Sequence, residues 1–135
     1  MTLQYSVAVR NAKLDAVEVT IGTSAVLKIR TGAPPANVAT ADSGTVLATL
    51  NLPSDYFNAA GSGSKTKLGT WQDASADATG TAGHWRLYAS DGTTCHAQGT
   101  CTGTGGGGDM ELDNTSISSG QSVTVTTFTL NAGNA

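Results

Sequence analysis

A chain of 135 residues has the size of one ordinary domain, with room for a single hydrophobic core. Only 13% of it is charged, about half the usual ~25%, while 39% is apolar before glycine is counted, which is too much for a disordered chain. A net charge of −3 with scattered Lys and Arg excludes nucleic acid and anionic membrane as electrostatic partners, and no apolar run approaches the ~20 residues of a membrane span.

The opening segment, "LQYSVAVRNAKLDAVEVTIG", spaces Val7, Arg10, Leu14, Val17 and Ile21 by three or four residues, which predicts an N-terminal helix or arm over residues 1–22. Ser6 is placed to cap its start and Gly22 to stop its end. A lone helix of this length is marginal in water, so its apolar stripe needs a surface, either its own domain or, as we expect, a neighbouring molecule. The same segment lacks the basic start and apolar centre of a secretory signal, so a cytoplasmic origin is expected.

Beyond Gly22, residues 23–135 change to short runs of alternating apolar and polar residues, the pattern of an antiparallel β-sandwich, jelly-roll-like in its number of short strands. "AVLKIRTG" sets Leu27 and Ile29 against Val26, Lys28 and Arg30. "GTVLATLNL" and "HWRLYAS" alternate likewise, the latter with Trp85, Leu87 and Ala89 opposite His84, Arg86 and Tyr88. Met110, Leu112 and Ile117 point inward in the next run, and Val123, Val125, Phe128 and Leu130 along the last. Such alternation implies one wet face and one buried face. Between these runs, "TGAPPANVATADSG" reads as an exposed loop because of its two prolines, and Ser54 or Asp55 as the cap of a short helical turn through Tyr56 and Phe57. Asp91-Gly92 predicts a two-residue type I′ hairpin.

"TCTGTGGGGDM" invites a phosphate-loop reading, which fails because Asp109 and a strand follow where Gly-Lys-Ser/Thr and a helix are needed. Gly103 and Gly105 to Gly108 therefore read as a turn. Cys95 and His96 are neighbours on a strand and point to opposite faces, and no paired metal-ligand spacing joins them to His84 or Cys101, so no metal or cofactor is expected. The two cysteines are expected as free thiols. Cys95 with His84 or His96 offers a nucleophile and a base on paper, but no nucleophile elbow is present. Asp73, Asp77, Asp109, Glu111 and Asp113 are carboxylates without calcium-loop spacing; Glu111 and Asp113 read as a solvated strand edge. Trp71 and Trp85 are expected to anchor the core rather than stack on a ligand. No catalytic, cofactor-binding or metal residue is assigned.

The phrases "LKIRTGAPPANVATADSGTVLATLNLPSDYF", "GTWQDASADATGTAGHWRLYASDGTTCHAQGT" and "LDNTSISSGQSVTVTTFTLNAGNA" carry a resemblance, from about Ala25 onward, to small virion proteins encoded by tailed bacteriophages. The resemblance implies a non-enzymatic capsid cement or decoration protein on the capsid exterior, binding the major capsid protein and forming homo-oligomers. Two other functions stay open: a tail or fibre module that binds a host receptor or glycan through the long stretch from Asn58 to Gly83, and a small hydrolase using Cys95 and a histidine.

Overall fold

A computed structural model of the protein describes residues 3–133; Met1, Thr2, Asn134 and Ala135, the ends of the expected arm and domain, lie outside the described residues. The chain is mainly β, with one N-terminal helix and a curled mixed sheet.

Helix α1 (Val7–Ile21) begins where Ser6 Oγ accepts a hydrogen bond from the Val9 amide and ends where the Gly22 amide returns to the Glu18 carbonyl. Its apolar stripe does not wait for a neighbour: Leu14 and Ile21 are buried on the chain's own domain. Polar contacts fix the same seat. Asn11 Oδ1 and Asp15 Oδ1 accept from the backbone amides of Gly63 and Ala60, Arg10 donates to the Ala132 carbonyl, and Tyr56 donates to the Gly22 carbonyl at 2.9 Å. Of the expected helix or arm the helix forms, and in the chain by itself Leu14 and Ile21 of its stripe are covered at home while Val7 is left half exposed.

Strands follow as β1 (Val26–Thr31), β2 (Val46–Asn51), β3 (Ser64–Thr66), β4 (Gln72–Asp73), β5 (Gly80–Tyr88), β6 (Cys95–Gly103), β7 (Met110–Leu112), β8 (Ser116–Ile117) and β9 (Val123–Asn131). Their order in the sheet is β2-β1-β5-β6-β7-β9-β3, with β4 added to β9 and β8 to β5. All pairs are antiparallel except β6 and β7, where Cys101 lies beside Met110 and the chain runs on in the same direction. The expected wholly antiparallel arrangement therefore needs correction at one pair. Parallel neighbours ordinarily need a long crossover; residues 104–109 manage it by coiling tightly, with Gly105 and Gly107 at φ 83° and 78°.

Two local expectations also change. No helix forms after Ser54 and Asp55, because Tyr56 and Phe57 are drawn into the core and Phe57 bridges Lys67 instead. At Asp91-Gly92 a hairpin does form, but only Gly92 has positive φ; Asp91 acts through its side chain, which accepts hydrogen bonds from the Thr93 and Thr94 amides. A further hydrogen bond from the Thr94 hydroxyl, the largest cause, together with these two holds its carboxyl well below the usual carboxylate range.

One face of the sheet carries the core. Tyr56, Phe57, Trp71, Trp85 and Phe128 pack with ring centroids 5.1–6.3 Å apart, mostly tilted or edge to face, and Leu27, Ile29, Leu87, Met110, Leu112, Val123 and Val125 fill around them. The opposite face of β1, β5 and β6, expected to be wet, is covered as well. His84, Arg30 and Arg86 there are 0%, 6% and 1% exposed. They are buried by the proline loop, which crosses the sheet as a strap. Arg86 donates to the Val38 and Thr40 carbonyls and, at 2.7 Å, to Asp42; Arg30 and Tyr88 each donate to Asp42 at 2.7 Å; Gln98 donates to Pro35 and His84 Nδ1 to Gly32. A carbonyl only accepts, so His84 carries its proton on Nδ1. The strap lies so close that a Cβ on Gly83 would stand 2.2 Å from the Gly32 carbonyl oxygen.

Candidate functional site

The residues with chemical potential are not gathered into one centre. Cys95 and Cys101 lie on one strand six residues apart, about 20 Å at a strand's rise, far beyond the ~7 Å limit for a bridged pair of Cα atoms, and both are free thiols. Burial pushes the Cys101 thiol up to about 11, which keeps it protonated at neutral pH. Cys95 Sγ accepts from Arg86 Nε at 3.2 Å and pairs across the ladder with Tyr88, at the opposite end from His84, which pairs with Thr100. His96 faces the other way and lines a shallow cleft of about 300 Å³ beside α1, together with Lys13. The structure does not bring a cysteine and a histidine together as a nucleophile and base. Among the described residues no three His, Cys, Asp or Glu side chains converge where a metal ion could sit. Trp71 and Trp85 are core anchors, 0% and 4% exposed, with their indole N–H groups on the Leu68 and Thr100 carbonyls.

The carboxylates have a common occupation. Asp73 accepts from the Thr49 and Ser75 amides, Asp77 from the Thr49 hydroxyl, Asp109 from the amide and hydroxyl of Thr100, Glu111 from the Gly105 amide, and Asp113 from the Thr124 amide. The glycine turn is thus fastened by Asp109 and Glu111 rather than aimed at a ligand. Asp42 holds the strap: partial burial pushes its carboxyl up, but the Tyr88 hydrogen bond and the Arg30 and Arg86 charges outweigh that and hold it below its ordinary value. Nine of the ten acidic side chains have such partners. The exception is Asp55, the residue expected to cap a helix that does not form.

Asp55 lies on a cleft of about 480 Å³ between α1 and the segment 54–59. From the helix come Asp15, Glu18 and Val19, which share a face by their spacing of three and four residues; Phe57 and Lys65 are also in the lining. Lys65 is 3% exposed and bonds Asp15 at 2.7 Å and Glu18 at 3.2 Å. Burial disfavours its ammonium, but these two partners outweigh burial and raise its pKa, while the Lys65 hydrogen bond holds Asp15 down. A lysine touching an aspartate and a glutamate could close an internal amide, a reaction that needs a neutral amine and a protonated acid. Here Lys65 and Asp15 are held in their charged forms, and the contacts among the three side chains seat the helix. Sequence reasoning missed Lys65 because a three-residue strand inside a glycine- and serine-rich stretch gives no periodic signal. The stretch from Asn58 to Gly83, which the tail or fibre alternative would use as a contact loop, contributes β3, β4 and the start of β5 to the sheet.

Comparison of the chain with protein-family models, with curated proteins and with solved structures finds no match.

Proposed function

We propose that this chain is a non-enzymatic structural protein of a tailed-bacteriophage virion, a cement or decoration protein that binds assembled capsid subunits on the exterior of the shell. The observation that supports it is the occupation of the polar side chains: nine of ten carboxylates fasten a loop, an edge or the helix to the frame instead of converging on a reactive point. Such a surface suits a part whose work is to keep its shape while touching neighbours. The resemblance from Ala25 onward points to the same role. In this reading the curled sheet belongs to the sandwich or jelly-roll type, a compact block able to straddle adjacent subunits. Each copy adds modest contacts, and shell symmetry multiplies them, which also favours homo-oligomers at symmetric positions.

The test is cosedimentation of the purified chain with separated heads and tails of the phage that encodes it. Saturable binding to heads, with a rise in the temperature at which they release DNA, is the expected result. Binding to tails alone would replace the cement reading with the tail or fibre reading. Binding to neither would overturn the virion assignment.

A further inference from the structure

We propose that the cleft between α1 and segment 54–59 is a docking groove for a basic side chain, arginine or lysine, presented by a partner protein. The inference deepens the reading above by naming the surface that makes the contact and the chemistry it selects.

The groove has an apolar wall and an unneutralised charge. Val19 projects from the helix face at 81% exposure, the most exposed large apolar side chain among the described residues, and Phe57, itself 2% exposed, is also in the lining. A valine in that position lowers no free energy in the isolated chain, since its apolar surface stays in water. The occupant is identified by charge. Three carboxylates, Asp15, Glu18 and Asp55, and one ammonium, Lys65, line the cleft, which leaves it a net charge of −2. Asp15 and Glu18 are already engaged by Lys65, so the group left to receive a partner is Asp55. An arginine or lysine matches both features, because its methylene stem covers apolar surface while its head reaches a carboxylate. An anionic ligand would meet the three carboxylates, and a purely apolar segment would bury Asp55 without a partner. The other flank of α1 carries Lys13 and His96 in its cleft, so the acidic character is confined to one side of the helix.

The experiment is a titration of the full ¹⁵N-labelled chain, followed by two-dimensional NMR, with three capped tripeptides: Ala-Arg-Ala, its citrulline counterpart and Ala-Glu-Ala. The arginine peptide is expected to shift the amides around Val19, Thr23, Asp55 and Ala59 saturably, and less as salt is added; citrulline and glutamate peptides should leave them in place. Asp55→Asn, at an exposed bend, should weaken binding about fivefold, the upper end for a single exposed ion pair. Val19→Ser, with the fold checked by its spectrum, should weaken it as well. Equal response to arginine and citrulline, shifts spread over Asp73, Asp109 and Asp113, or no effect of Asp55→Asn would each overturn the proposal. The titration needs no phage particle, so its failure leaves attachment to heads standing, and failure of cosedimentation leaves the cleft's preference standing.

Discussion

Asp42→Ala removes the only carboxylate among the described residues that meets the buried arginines of the strapped face. Three hydrogen bonds of 2.7 Å, from Arg30, Arg86 and Tyr88, end on it. Two of them are charge-assisted and worth about 1.5–3 kcal/mol each, and their loss leaves two guanidinium groups, 6% and 1% exposed, without a counter-charge. The carboxylate itself is 39% exposed, so water enters where it stood and screens part of that cost. Discounting by half gives a destabilisation of about 1.5–3 kcal/mol. For a domain of this size that lowers Tm by about 5–10 °C. Asp42→Asn keeps an acceptor but loses the charge, and should fall between the wild type and the alanine variant. Urea and thermal unfolding followed by circular dichroism measure the effect, and limited proteolysis between Gly32 and Gly44 reports whether the strap has lifted. An alanine variant within about 2 °C of the wild type, with its strap still resistant to protease, would refute the argument that this carboxylate holds the face closed.

Asp15, Asp42 and Asp91 all have folded-state pKa values below the ordinary 3.8, so their contribution is present above that value and is lost as pH falls through the depressed ones. The urea midpoint should therefore decline below about pH 4, and a midpoint that rises on acidification contradicts the assignment. Dithiothreitol should leave Tm unchanged, and a thiol reagent should label Cys95 in the folded chain but Cys101 only on unfolding; two fast thiols would show that Cys101 is not buried. Gly83→Ala should cost about 2 kcal/mol or more by pushing on the Gly32 backbone, read as a lower urea midpoint, whereas an unchanged midpoint would mean that the strap stands off the sheet.

Local grammar was legible where the physics is local. Ser6 and Gly22 bound the helix in the sequence as in the structure, and the inward positions Met110, Leu112, Ile117, Val123, Val125 and Phe128 are buried. What escaped was decided by distant chain. The alternation of Lys28, Arg30, His84 and Arg86 with apolar neighbours identifies a face, but nothing within a strand says that residues 32–44 will cover it. Strand pairing is equally non-local, so the parallel partnership of β6 and β7 has no signature in either segment. Asp55 shows the same limit at the candidate site. Its position before Tyr56 and Phe57 is a fair helix cap, and it lost that role because burial of the two aromatic rings outweighs one turn of helix. The carboxylate so released is the one the cleft presents.

The sheet's own edges bear on where contacts between molecules can form. An edge strand offers unpaired amides and carbonyls, the simplest means by which one β-protein adds to another. Both ends of the present sheet are occupied from within. Along β2 the Thr49 amide donates to Asp73 Oδ2 at 2.9 Å, and the Leu47 carbonyl accepts from the Asp77 amide at 2.8 Å. Beyond β3, the Asn58 amide donates to the Thr66 carbonyl, and Gly61 and Ser64 exchange a pair of hydrogen bonds. Strand addition would have to break these first, exchanging bonds already made for new ones. Side-chain surfaces are then the less costly route to a neighbour. That favours a contact built from features such as Val19 and Asp55, which need no internal bond to be broken before they engage a partner.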